Sequence, residues 1–252
     1  MRLRAFAKIN LSLKILGLRP DGFHEIESLM QSVSLHDVIT ISPISSGIEV
    51  TCDNPMVPVG PENLVYKAAK LAGADGIKIH IEKHIPMAAG LAGGSADAAA
   101  VLFALKADPQ IAAQVGSDVP FCLVGGTCLV KGRGEIVKPH NPNPRTSYII
   151  VTPDLEVSTK WAYDEFDRMG LGSIKIVKND LELVAVMRYP EITDIETKLL
   201  QLGCSHAQMS GSGPSVFGVC KPEQGERILA EVKKKFAQSF LVEPVKKGVE
   251  II

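Results

Sequence analysis

Between Leu3 and Leu16 apolar residues roughly alternate with others, and Ile9, Leu11, Leu13 and Ile15 fall on one face, a period-two pattern that predicts a strand. The run RPDG at Arg19–Gly22 then turns the chain, because Pro20 presets its own φ and Gly22 accepts a positive one. Further strands are expected at Gln31–Leu35, Asp37–Ile41 and Ile48–Cys52, a helix at Glu62–Ala72 and a β-branched strand at Ile77–Ile81. The segment Pro86–Lys106, PMAAGLAGGSADAAAVLFALK, passes from a Gly-rich loop to an Ala-rich helix within a few residues.

Strands are expected again at Cys122–Val130 and Glu135–Lys138 around a KGRGE turn. Asn141–Arg145 (NPNPR) reads as a linker, since its prolines and asparagines carry no apolar anchor. After it the pattern gives a strand at Tyr148–Thr152 and helices at Thr159–Arg168, Asn179–Met187 and Ile192–Leu202. A second Gly/Ser loop, Met209–Ser215, leads into an apolar strand, Val216–Cys220, and a charged helix at Pro222–Phe236 precedes a last short strand. Strands and helices mix without strict βαβ alternation, which favours an α+β fold built as α/β layers.

Composition narrows the function. The 252 residues are 46% hydrophobic, ample for a core, and 27 Lys+Arg against 28 Asp+Glu leave a net charge of −1. Neither a basic surplus nor a polybasic run is present, which argues against nucleic acid as a partner. No apolar stretch approaches the roughly 20 residues of a membrane span. Lys8, Asn10 and Lys14 break up the N-terminal apolar residues before a signal-peptide core forms. Five scattered cysteines without a CxxC pair predict reduced thiols and a cytoplasmic protein. Eight Phe, four Tyr and one Trp are few for this length, so an aromatic outside a buried run draws notice.

Candidate chemistry concentrates in the loops. Gly90, Gly93, Gly94 and Ser95 precede a helix, where small residues let backbone N–H groups approach an anion and the helix terminus adds about half a positive charge. The loop therefore suits a polyphosphate; a tight structural turn is the plainer alternative, and neither Walker A nor GxGxxG spacing is present. Ser210–Gly213 (SGSG) can form a second anion nest or simply a hairpin turn. Lys8 and Asn10 share a face that is either a cleft or solvent. Asp118 stands before a run that reads as buried, where a carboxylate is costly unless paired or used; a helix cap is the alternative. His24 is a turn or packing histidine unless it meets a ligand.

Taken together, AKINLSL at Ala7–Leu13, PMAAGLAGGSADAA at Pro86–Ala99 and MSGSGPSVFG at Met209–Gly218 resemble, in order, the three motifs of the GHMP kinases, with Ala88, Ala89 and Ala92 where glycines are common. DGFHEI, SLHD, ENLVYKAA, SDVPFCLVGGT, GRGE, VSTKWAY, NDLE and YPEI extend the resemblance over nearly the whole chain, toward those members that phosphorylate a cytidine-diphosphate-linked sugar alcohol for isoprenoid synthesis. The resemblance implies an N-terminal domain at 1–144 of the ribosomal protein S5 domain 2-like type, a ferredoxin-like C-terminal domain at 145–252, and ATP and substrate meeting between them. It implies Asp118 as the base and Lys8 beside it as the catalytic cation. For ATP it implies Asn63, Leu64, Lys83, the loop Pro86, Met87, Ala88, Ala89, Gly90, Leu91, Ala92, Gly93, Gly94, Ser95 and Ala96, and Ser210, Gly211, Ser212 and Gly213. Ser95 is also a candidate Mg²⁺ contact.

For the substrate it implies Asn10 at the sugar alcohol hydroxyls, Phe23 and Tyr163 stacked on cytosine, and His24 reading the base edge; Trp161 and Phe166 are the competing aromatics. The expected cofactors are ATP and Mg²⁺, and the expected partners are ATP and the small-molecule substrate, on a monomer or weak homodimer. Another GHMP kinase, for mevalonate derivatives or homoserine, and a non-catalytic relative are the alternatives. Spacings at Ala72–Gly76, Lys106–Ile111 and Met169–Ser173 are shorter than the family pattern, and the expectation is that loop residues are missing from the sequence as written.

Overall fold

The computed structural model describes residues 1–141, 146–171 and 178–252. Most of the expected linker Asn141–Arg145, the domain boundary after residue 144 and the end of the short spacing at Met169–Ser173 therefore lie outside the described residues.

Two long strands, β1 (Arg2–Leu18) and β2 (His24–Pro43), form an antiparallel ribbon closed by the Arg19–Gly22 turn, where Gly22 takes φ 81. The two strands expected within 31–41 are one, because β2 runs unbroken through His36, opposite Phe6. The register slips between Phe6 and Lys8 and again between Asn10 and Ser12, so Lys8 and Asn10 lie on a short stretch re-aimed by flanking bulges. Next come β3 (Ile48–Cys52), α1 (Leu64–Leu71), β4 (Ile77–Glu82) and α2 (Gly93–Ala104). A 3-10 turn at Pro109–Ile111 leads to α3 (Ala112–Val115), α4 (Val119–Val124), β5 (Thr127–Gly132) and β6 (Ile136–Pro139). Sheet one runs β11-β1-β2-β4-β3, with β5 on the other half of β2 and β6 beyond it; β11 (Val249–Ile251) comes from the far end of the chain.

Where a strand was expected from Cys122, the chain is helical to Val124. Pro120 sits in the first turn of α4, where its missing N–H costs nothing, and Gly125 and Gly126 stop the helix with φ of 70 and 75. The short spacings at Ala72–Gly76 and Lys106–Ile111 close with local turns. Gly73 (φ 70) follows the C-cap of α1, and Asp108 caps the 3-10 turn by accepting from the Gln110 N–H.

The second half comprises β7 (Ser147–Val151), α5 (Thr159–Arg168), α6 (Asp180–Arg188), α7 (Glu191–Gln201), β8 (His206–Met209), β9 (Val216–Cys220), α8 (Pro222–Lys233) and β10 (Ser239–Val242). Its sheet, β10-β7-β9-β8, is antiparallel throughout, and with helices after β7 and β9 it forms a split β-α-β-β-α-β layer. This is the α+β architecture expected. Leu3, Ile39, Ile79 and Val101 centre one core, and Ile149, Leu181, Leu199 and Ile228 the other. A third cluster joins Ile9 and Leu91 to Tyr148, Ile150 and Phe217, the two rings edge-on at 5.8 Å. Each fully buried large side chain contributes roughly 1.5–3 kcal/mol, so this seam fixes the sheets relative to one another. Among the described residues no helix is long and apolar enough to cross a membrane.

Candidate active site

Both halves of the molecule line a cleft of about 1080 Å³. Lys8 stands at its floor, 4% exposed, because the apolar residues on either side of it, Ala7 and Ile9, are packed into the seam. Its ammonium donates to Asn10 Oδ1 (2.6 Å) and the Gly90 carbonyl (2.8 Å) and lies 3.8 Å from Asp118 Oδ2. Asn10, 1% exposed, donates through Nδ2 to Ser28 Oγ, leaving its Oδ1 for Lys8. Asp118 was read as buried; its side chain is 31% exposed and faces the cleft. It occupies the N-cap position of α4 yet makes no capping bond, so its carboxylate is available to a ligand.

Facing this pair, the loop before α2 holds Ala88, Gly90 and Ala92 at φ of 49, 73 and 58, and α2 begins at Gly93 with no side chain capping it. Its first N–H groups are left for a ligand. Alanine suits the helix intrinsically, and Ala96 to Leu102 are all buried. The loop lines the cleft from Pro86 to Gly90 and from Ala92 to Ser95, whereas Leu91 and Ala96 point into the core. Gly211, Ser212 and Gly213 of the second glycine loop also line it. Ser210 is fully buried behind them, its hydroxyl accepting from the Asn10 N–H and donating to the Gly90 carbonyl. Leu64 lines the wall, and Asn63 caps α1 through the Val65 N–H while Nδ2 holds the Pro58 carbonyl.

Lys83 reaches the cleft as a buried strut. Its ammonium is held by Asp37 and, at 3.1 Å, by Asp97, and the two carboxylates outweigh burial to raise its pKa. Asp37 also accepts the His84 and Ile85 N–H groups. Burial pushes Asp97 well above the usual carboxylate range, and its Oδ1 has no hydrogen-bond partner. The sequence reading missed both carboxylates. Asp97 lines the cleft two positions after Ser95, but side chains two apart on a helix do not face each other and Asp97 is committed to Lys83, so the Ser95 hydroxyl is the oxygen donor at the head of α2 that suits Mg²⁺. No group of three His, Cys, Asp or Glu side chains gathers for a metal among the described residues, which leaves phosphate oxygens to complete such a site.

At the other end lie Phe23, 45% exposed, with the Arg133 guanidinium 4.7 Å over its ring, and His24, stacked on Tyr163 at 4.6 Å. His24 Nε2 meets Asp167 at 3.0 Å. Burial, with the charge of Asp118 behind it, raises the Tyr163 phenol pKa. Tyr163 lines the cleft, whereas Trp161 packs edge-on against Tyr189 and Phe166 is in the core. Thr159, which the sequence reading left unassigned, bonds Ser212 Oγ across the cleft wall at 2.8 Å.

Two family profiles match the chain, GHMP kinases N terminal domain over residues 63–126 and GHMP kinases C terminal over 166–238. The sequence is 40% identical over 287 aligned positions to 4-diphosphocytidyl-2-C-methyl-D-erythritol kinase of Caldanaerobacter subterraneus, covering 100% of this chain and 99% of that protein. It is 43% identical to the protein of the same name from Acetivibrio thermocellus, covering 88% and 90%. A crystal structure of 4-(cytidine 5'-diphospho)-2C-methyl-D-erythritol kinase superposes with a TM-score of 0.81 at 33% identity over 96% of this chain and 98% of that one. Homoserine kinase from Cytophaga hutchinsonii shares the fold at a TM-score of 0.74 and 18% identity, covering 100% and 97%.

Proposed function

This chain belongs to the GHMP kinase family, and we infer that it is a 4-diphosphocytidyl-2-C-methyl-D-erythritol kinase, transferring the γ-phosphoryl group of ATP to the 2-hydroxyl of that substrate in the non-mevalonate isoprenoid pathway. The observation that carries the mechanism is the Lys8–Asp118 pair, 3.8 Å apart in the cleft and facing the uncapped end of α2. Phosphoryl transfer asks for alignment and charge stabilisation more than for covalent chemistry. Asp118 accepts the hydroxyl proton as the oxygen bonds the γ-phosphorus and the bond to the β-phosphate oxygen breaks. Lys8, buried and held by two neutral acceptors, offsets negative charge on the moving group.

ATP phosphates lie on the Pro86–Ser95 loop, where the N–H groups of α2 and the helix terminus face them. Mg²⁺, when bound, would supply neutralisation of phosphate charge, with the Ser95 hydroxyl as its protein donor. Lys83 keeps its place as a neighbour of the nucleotide, acting through the head of α2. Phe23 and Tyr163 hold cytosine, His24 reads its edge, and Asn10 acts on the sugar alcohol indirectly, by holding the Lys8 ammonium. Aromatic stacking on a base contributes roughly 1–3 kcal/mol and tolerates a change of ring. The five unpaired cysteines suit a reducing cytoplasm.

ADP release with this substrate, mevalonate and homoserine tests the reading. Turnover is expected with the cytidine compound alone, and turnover confined to either of the others overturns it.

A further inference from the structure

The segment NDLE at Asn179–Glu182 lies outside the nucleotide and substrate roles described above, yet three of its four side chains are committed to the two strands and loop that build the phosphoryl-transfer centre. Asn179 is fully buried; its Nδ2 donates to the Met209 carbonyl (3.0 Å) and the Gly211 carbonyl (2.8 Å), while its Oδ1 accepts the Leu181 N–H and caps α6. Asp180, also fully buried, accepts from Lys14 Nζ (2.9 Å) and the Ile15 N–H (2.8 Å) of β1. Glu182 accepts the Met209 N–H at 2.6 Å. The Leu13 N–H donates to the Lys178 carbonyl at 2.7 Å, so the start of α6 lies directly along the strand that bears Lys8.

These bonds converge on one atom. Asn179 and Glu182 suspend the turn at 209–211, and within it the Ser210 hydroxyl bonds the Gly90 carbonyl, the same oxygen that receives the Lys8 ammonium. On the strand side, the Ser210 hydroxyl also receives the Asn10 N–H. We propose that Asn179, Asp180 and Glu182 are positioning residues of phosphoryl transfer, fixing the second glycine loop against β1 so that the Gly90 carbonyl and Asn10 hold the Lys8 ammonium beside Asp118. Gly211 of this turn also lines the cleft, so the clasp acts chiefly on kcat, through the acceptors of Lys8, with a smaller effect on the KM for ATP.

The inference rests on Lys8 and Asp118 being the reacting centre, and Lys8→Met reports on that separately. Asn179→Asp keeps the cap on α6 but turns a carboxylate oxygen toward two carbonyls. It is expected to lower kcat at least 30-fold with both KM values within threefold of the parent, in a protein with unchanged circular dichroism. Glu182→Ala is expected to lower kcat at least tenfold, and Glu182→Gln, whose Oε1 can still accept the Met209 N–H, to restore most of it. If Lys8→Met is inactive while the folded Asn179→Asp and Glu182→Ala proteins turn over normally, or lose only ATP affinity, the positioning role is wrong. If Lys8→Met turns over normally, the reacting centre itself has been misassigned. Should Asn179→Asp fail to fold, the comparison of Glu182→Ala with Glu182→Gln decides, equal losses of kcat or none overturning the role.

Discussion

Asp118 stands at a helix N-cap without capping, and that is what frees it for chemistry: an aspartate there would ordinarily accept a backbone N–H, and this one keeps its oxygens toward Lys8 and the cleft. Asp118→Asn keeps the shape and removes the proposed base. It is expected to lower kcat by about 10²–10⁴, the range of a positioned general base, while nucleotide affinity measured by titration stays within a few-fold. Near-parental turnover would remove Asp118 from the role. The places of Lys8, Asn10, Phe23, His24 and Tyr163 in one cleft were legible in the sequence through the family's motifs, since each sits in a short run whose order and chemistry are distinctive. Asp37 and Asp97 were not, since what they do depends on Lys83, 46 and 14 positions away. Their signal was faint but present: a carboxylate within SLHD, amid strand-forming residues, and another inside an alanine helix, each needing a cation to justify its burial.

Among the elements, periodicity located most strands and helices but passed over α3, β8 and one of the two closing strands, and its misassignments have local causes. Cys122 was assigned to a strand because the apolar run from Val119 to Val124 is too short for pattern alone to separate strand from buried helix. The unbroken β2 hid behind His36, which a two-strand reading treats as a break and which instead bonds the Ser34 carbonyl. The loop before α2 was legible as a Gly-rich turn into a helix, but its contact with the second glycine loop was not, since that depends on backbone distance. A Cβ at Gly90 would come 2.2 Å from the Ser210 carbonyl oxygen, at a φ of 73 that side chains rarely adopt. Gly90→Ala is therefore expected to cost about 1–3 kcal/mol in denaturant unfolding and to raise the KM for ATP severalfold. An unchanged midpoint would show that the two loops are not in close register.

Across the molecule, stability should fall as pH rises from about 4.5 to about 8, for an identifiable reason. Burial, and then the charge of Glu182 beside it, pushes Glu196 up to about 8, against a carboxylate that titrates near 4.5 once exposed. Between those values the folded chain holds a proton that the unfolded chain releases, so stability declines as pH rises through that window. Glu196→Gln is expected to raise the melting temperature at pH 9 and to leave it nearly unchanged at pH 5; parallel pH curves for the two proteins would exclude the pair as the source. The strand that carries Lys8 pairs with β11, register Leu3 to Ile251, across almost the entire sequence. Contacts of such separation form late, because a long stretch of chain must be organised before its ends meet. Regain of catalysis during refolding thus reports completion of the whole chain, whereas helical signal returns earlier from local contacts such as those of α2.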